Sequence, residues 1–205
     1  MDGVFVDLDK SMFEMFGEEH SDIVDHKGKY FKYLSVFVDR GGFTTAHAMP
    51  KHEDLDAFFY AISQLKNANV KMEILTSHGS FYRPGGVDRH DIVVEQKKEW
   101  LKANTQYLKT IPFNYSSSGK HKSDWAHSDS MLIDDTENNV NYFLEKGGKS
   151  FHYVNESCLS EMAFSVLKFI EMDSIDNIMG NFPELCAFGS ETTADPTYEN
   201  RIVRI

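Results

Sequence analysis

Two aspartates stand two positions apart at the end of an apolar run, Val4-Phe5-Val6-Asp7-Leu8-Asp9. In an extended chain, side chains two apart point the same way. Neighbouring carboxylates repel unless a cation lies between them or one of them holds a proton. The pair therefore reads as a divalent-metal site, an acid/base pair, or both. The competing reading is a surface turn after a buried strand, where Asp is common anyway. Three further pieces, in order along the chain, favour chemistry. Glu73-Ile74-Leu75 runs into the hydroxyls of Thr76 and Ser77. Lys120 and Lys122 sit in a polar loop that begins at Ser116. Met131-Leu132-Ile133 ends in Asp134-Asp135.

Together these residue types suit a phosphoryl group. Carboxylates offer the hard oxygens that Mg²⁺ takes, alongside substrate phosphate and water. A lysine and a threonine hydroxyl can hold phosphoryl oxygens where charge develops during transfer. One aspartate can attack phosphorus and split a hard step into two. A second can protonate the leaving oxygen and then take a proton from water. In isolation, Asp134-Asp135 also reads as a cap for the helix that Thr136 and Glu137 begin. The two lysines also read as a solvated loop; Lys122 is preferred over Lys120 because it lies nearer the following turn. The nine histidines show no zinc-like spacing, and only His78, two residues past Thr76, falls near the expected crevice. Phe43, Thr44 and Thr45, with Tyr82 and Arg83, are candidates for contacting the rest of a substrate.

The elements that must position these residues alternate between strand and helix. Strands are expected at Gly3–Asp7, Val70–Leu75, Thr110–Phe113, Met131–Ile133 and Ser150–Val154. Helices are expected from His52 to Leu65, from about Arg89 to Ala103 (Ile92, Val93, Gln96, Trp100 and Leu101 near one face), from Thr136 to Lys146 and from Ser157 to Met172. Ser11–Gly17 reads as a short helical turn, and Lys32–Val38 as a strand or a short helix. This alternation predicts an α/β fold: a Rossmann-like three-layer sandwich around a mainly parallel five-stranded sheet. Asp7, Thr76, the Lys122 loop and Asp134 then meet at the carboxyl edge, where such sheets carry their sites. Residues 12–52 are expected as a small cap inserted after strand one, residues 1–178 as the core domain, and residues 179–205 as a tail or arm.

At 205 residues the chain suits one domain, and 16 Phe with 9 Tyr supply a sizeable core. A formal charge of −11 argues against a broad basic face for stable nucleic-acid binding. It leaves room for a small phosphorylated ligand, because a bound cation inverts the local sign. Cys158 and Cys186 stand far apart and read as reduced thiols. With no signal-like segment and no run long enough to span a bilayer, a cytoplasmic protein with no membrane partner is expected. A homodimer is compatible with this reading.

The pieces Val4-Phe5-Val6-Asp7-Leu8-Asp9, Glu73-Ile74-Leu75-Thr76, Lys122 and Met131-Leu132-Ile133-Asp134-Asp135 match, in order, the four motifs of the haloacid dehalogenase-like phosphohydrolases. The chain resembles that superfamily over about residues 3 to 154, and within it most the 5'(3')-deoxyribonucleotidases. The resemblance implies Asp7 as nucleophile and Asp9 as acid/base. It implies Thr76, Ser77 and Lys122 around the phosphoryl group, Asp7, Asp9 and Asp134 around Mg²⁺, and Asp135 in support. The implied activity is Mg²⁺-dependent hydrolysis of a small phosphomonoester, first a (deoxy)nucleoside monophosphate, through an aspartyl-phosphate. The alternatives are action on a nucleic-acid phosphate end, or a silent binding protein on the same fold. Lys10-Ser11 departs from the family pattern, which has Gly followed by Thr or Val.

Overall fold

The structure is a computed structural model that describes residues 1–18, 27–65, 70–78, 90–170 and 201–205. Two short strands, β1 (Val6–Asp7) and β2 (His47–Ala48), pair antiparallel. The other described strands are β3 (Val70–Ser77), β4 (Phe113–Ser116), β5 (Ser130–Asp134), β6 (Lys149–His152) and β7 (Arg201–Arg204). They form one five-stranded parallel sheet in the order β4-β3-β7-β5-β6. The helices are α1 (Leu8–Phe16), α2 (Lys27–Asp39), α3 (Gly42–Thr45), α4 (His52–Ser63), α5 (His90–Asn104), α6 (Glu137–Glu145) and α7 (Leu159–Phe169). The chain is thus an α/β protein whose parallel sheet is flanked by helices, compatible with a Rossmann-like fold.

Side-chain alternation along the strands divides the sheet into two unequal faces. Met72, Ile74, Met131, Ile133 and Val203 join the main core with Phe58, Phe59 and Ile62 of α4, Trp100 and Leu101 of α5, and Met162, Val166 and Leu167 of α7. Leu75 and Leu132 face the other way, against Phe143 of α6. The apolar stripe of α4 sits on this main core, and its first turn carries Glu53 and Asp54, where the helix dipole favours acids. Asp56 of the same helix is buried, and its carboxylate accepts the backbone N–H groups of Gln106, Tyr107 and Leu108. It thereby ties α4 to the turn that leads into β4.

The expected first strand is not in the sheet. Val4, Phe5 and Val6 are fully buried, but residues 3–5 coil as a turn, with the Phe5 N–H bonded to the Met1 carbonyl at 2.9 Å. Gly3 makes this path available: its φ is +72°, and a Cβ there would fall 2.0 Å from Asp135 Oδ2. An apolar run of this length fits a buried turn as well as a strand, so periodicity alone does not separate them. The slot between β3 and β5 is filled by β7, whose Val203 pairs with Met72 on one side and Met131 on the other. Residues expected in a tail therefore supply the middle of the sheet; residues 171–200 lie outside the described ones.

The third strand begins later than expected. Leu108–Thr110 form a 3₁₀ turn, and Pro112, which has no N–H for the ladder, precedes β4. Lys32–Val38 lies within helix α2. Leu34, Phe37, Val38 and Phe43, from the stretch expected as a cap, are buried in the main core. No helix among the described residues is long and apolar enough to cross a membrane.

Candidate functional site

The carboxyl ends of β3 and β5 bring two of the sequence-predicted groups to one edge. Thr76 and Asp134 are each 1% exposed. Lys122 comes from the 3₁₀ turn Lys120–Trp125 and is buried, with its Nζ 2.5 Å from Asp134 Oδ2. Lys120 is exposed instead, its Nζ 5.5 Å from the centre of the Tyr142 ring. The other oxygen of Asp134 accepts from the Thr136 N–H at 3.0 Å and from Asn139 Nδ2 at 2.9 Å. Both Asp134 oxygens are therefore held by the protein. Burial would raise its pKa, but Lys122 and these hydrogen bonds outweigh burial and hold the carboxyl below its usual range.

Asp135, next along, shows the opposite balance. Burial and the charge of Asp134 push its pKa up to about 6. Its side chain lies against the Cα of Gly3, which brings the first residues of the chain to the sheet edge.

Sequence reasoning missed two groups here, Asp2 and Lys97. Lys97, on α5, is 1% exposed. Its Nζ donates to Asp2 Oδ2 at 2.6 Å, to Thr76 Oγ1 at 3.0 Å and to the Ser77 carbonyl at 2.7 Å. Burial opposes ionisation of Asp2, but the Lys97 charge and hydrogen bond win and lower its pKa. The second oxygen of Asp2, Oδ1, is buried without a hydrogen-bond partner among the described residues. Lys97 was readable in principle, since a lysine three residues from Trp100 and four from Val93 falls on the buried helical stripe. The expected face was off by about one residue, for Ile92 is 46% exposed while Val94 is buried. Asp2, ahead of a glycine, reads as an ordinary turn.

Beside these groups lies a cavity of about 410 Å³ lined in part by Asp2, Asp7, Asp9, Ser77, Lys122 and Asp135. Asp7 caps α1, its Oδ1 accepting the Lys10 N–H at 2.9 Å. Ser11 is buried and donates to the Asp7 carbonyl at 2.5 Å while accepting the His47 N–H, which fastens α1 to β2. Lys10 itself is exposed. Thr76, Lys97 and Asp134 do not line the cavity; Asp134 acts on its wall through Lys122, and Lys97 through Asp2 and Ser77. His78 packs instead against His90 and Tyr115, with ring centres 3.7 and 5.4 Å away. Phe43 and Thr44 bond to Gln96 and Glu99 and so bind α3 to α5. Tyr82 and Arg83 lie outside the described residues.

Four carboxylates on one cavity, with Lys122 as the cation on its wall, would repel a phosphate dianion unless a further cation joined them. The unpartnered Asp2 Oδ1 fits that need, and one or two carboxylates suffice for Mg²⁺ when substrate oxygens and water complete its shell. No group of three acidic, histidine or cysteine side chains among the described residues stands ready as a cation cage. No family model, curated protein or solved structure matches the chain.

Proposed function

We propose that the protein hydrolyses a small phosphomonoester with the help of Mg²⁺, and that a (deoxy)nucleoside monophosphate is the substrate class to test first. One observation carries this reading. Carboxylates, a hydroxyl-bearing strand end and a buried lysine converge on one cavity at the carboxyl edge of a parallel sheet. The cavity's volume suits a small molecule. Leu8, Tyr30, Met49 and Val154 on its wall suit the less polar body of the ester.

In this reading Asp7 attacks phosphorus: a carboxylate oxygen forms the new P–O bond as the bond to the leaving alcohol breaks. Asp9 gives that alcohol its proton, then takes one from the water that cleaves the aspartyl-phosphate. Lys122 and Ser77 hold phosphoryl oxygens, and Thr76 fixes the end of β3 behind them. Asp2 and one carboxylate of the Asp7 and Asp9 pair would hold Mg²⁺, which when bound would neutralise phosphoryl charge and offset the repulsion among the carboxylates. Asp134 supports the site by holding Lys122. Asp2 is the second candidate for the nucleophile, because Lys97 ties it to Thr76 and Ser77. A silent binding protein is the second functional reading, favoured by an Asp134 whose two oxygens are already bound within the protein.

The test is phosphate release from nucleotides, sugar phosphates and an aryl phosphate, with Mg²⁺ and with chelator. We expect Mg²⁺-dependent release that falls about 1,000-fold or more in Asp7→Asn. Loss in Asp2→Asn with turnover kept in Asp7→Asn would transfer the nucleophile to Asp2. No release from any ester would leave the binding protein as the reading.

A further inference from the structure

We infer that Lys97 is a positioning residue of the phosphoryl site: it holds two residues that line the cavity, Asp2 and Ser77, in place against the end of β3 and helix α5. This deepens the phosphatase reading and rests on it. An ammonium has three N–H bonds, and Lys97 has three acceptors, a carboxylate oxygen, a hydroxyl oxygen and a carbonyl. All its donors are spent inside the protein, so Lys97 does not itself bind substrate. What it does is restrict its partners. Asp2 Oδ2 is held by Lys97 and Oδ1 is buried, so the Asp2 carboxylate keeps one orientation where the residue lines the cavity. Thr76 Oγ1 accepts from Lys97, so its own O–H must donate elsewhere.

The cost of holding such a group shows that the arrangement is specific. A lysine is almost never fully buried unless paired, yet Lys97 is 1% exposed, with its Nζ 4.8 Å from the centre of the Phe43 ring. The same three bonds fasten three parts of the molecule, the first residues of the chain, the end of β3 and helix α5. A shift of one of these would displace the others.

Phosphate release and direct Mg²⁺ titration on wild type, Lys97→Met, Thr76→Val and the double variant test the inference, with thermal melting to establish folding. Lys97→Met should lower kcat about 100-fold, the scale expected for misplacement of groups that touch substrate. KM should change little, and Mg²⁺ should bind more tightly, because a positive charge has left Asp2. The double variant should be no slower than the slower single variant, since Lys97 acts through Thr76 and Asp2. Multiplying losses in the double variant, weaker Mg²⁺ binding in Lys97→Met, or wild-type turnover in it would each overturn the inference. If Lys97→Met does not fold, Lys97→Gln carries the same expectations for kcat and Mg²⁺. A wild type that releases no phosphate removes the phosphatase reading and this inference with it; wild-type turnover that Lys97→Met leaves unchanged removes only the inference.

Discussion

Asp134 and Asp135 are neighbours in sequence with opposite electrostatics, because Lys122 and Asn139 bond one, while burial and a negative neighbour outweigh the more distant cations at the other. Unfolded, Asp135 titrates near 3.8; folded, it titrates at about 6. Between those values the folded chain holds a proton that the unfolded chain has lost, so this residue lowers stability as pH rises through that window. Asp2 and Asp134 act the other way, stabilising above the ordinary carboxyl range and losing that contribution in acid. Asp135→Asn should therefore stabilise the metal-free protein at pH 7.5 by about 1–3 kcal/mol, with the gain gone by about pH 4. Urea melts across pH measure this. An equal gain at both ends would mean that the charge is not the cause. At this scale Thr76 and Asp134 were legible because each ends an apolar strand, and Lys122 because it lies in a polar loop near the following turn. Lys97 was not, because it shares a helix with exposed lysines and differs from them only in the turn of the stripe it occupies.

Elements are held in register by buried polar anchors as much as by apolar stripes. Asp56 receives three backbone N–H groups from the segment after α5, and Trp100 Nε1 donates to the Ala46 carbonyl at 2.8 Å. Removing Asp56 leaves those amides without an acceptor in a partly closed setting. Asp56→Ala should cost about 2–4 kcal/mol, given what bonds to a charged acceptor contribute and what unmade ones cost. Chemical denaturation checks this, and a loss under half a kilocalorie would mean that water replaces the carboxylate. Helices α4, α5, α6 and α7 were legible from their stripes and stops. The run Val4–Val6 was not, because burial was correctly signalled but the glycine before it decides the backbone path. The run Lys32–Val38, short and mixed, settled as a helix once Leu34, Phe37 and Val38 found the core.

The whole sheet depends on its middle strand. Buried parallel strands read as near-continuous apolar runs, whereas β7 carries Arg201 and Arg204, both buried. Arg201 reaches the Phe169 carbonyl, and Arg204 Nε lies 3.2 Å from Glu73 Oε2 as an ion pair without hydrogen-bond alignment. Two arginines in a run of five residues concealed this strand from a reading by hydropathy. Val203 lies between them, fully buried, and pairs with both flanking strands. Val203→Asp should cost about 3–5 kcal/mol or more, the scale of an uncompensated buried charge. Thermal melting would show it, and a wild-type melting temperature would mean that the sheet closes without β7.

That arrangement also shapes how the protein reaches its fold. The units β3–α5–β4 and β5–α6–β6 each join strands close in sequence, but the seam between them pairs Met72 and Met131 with Val203. Loop closure over such spans must be met before its contacts reward it, so folding slows as sequence separation grows. Each half can form early while exposing an unpaired strand edge, a template for other chains. Of the described strands, the one furthest along the chain is thus the one that removes both edges, and the interval before it docks is when these halves are most open to aggregation.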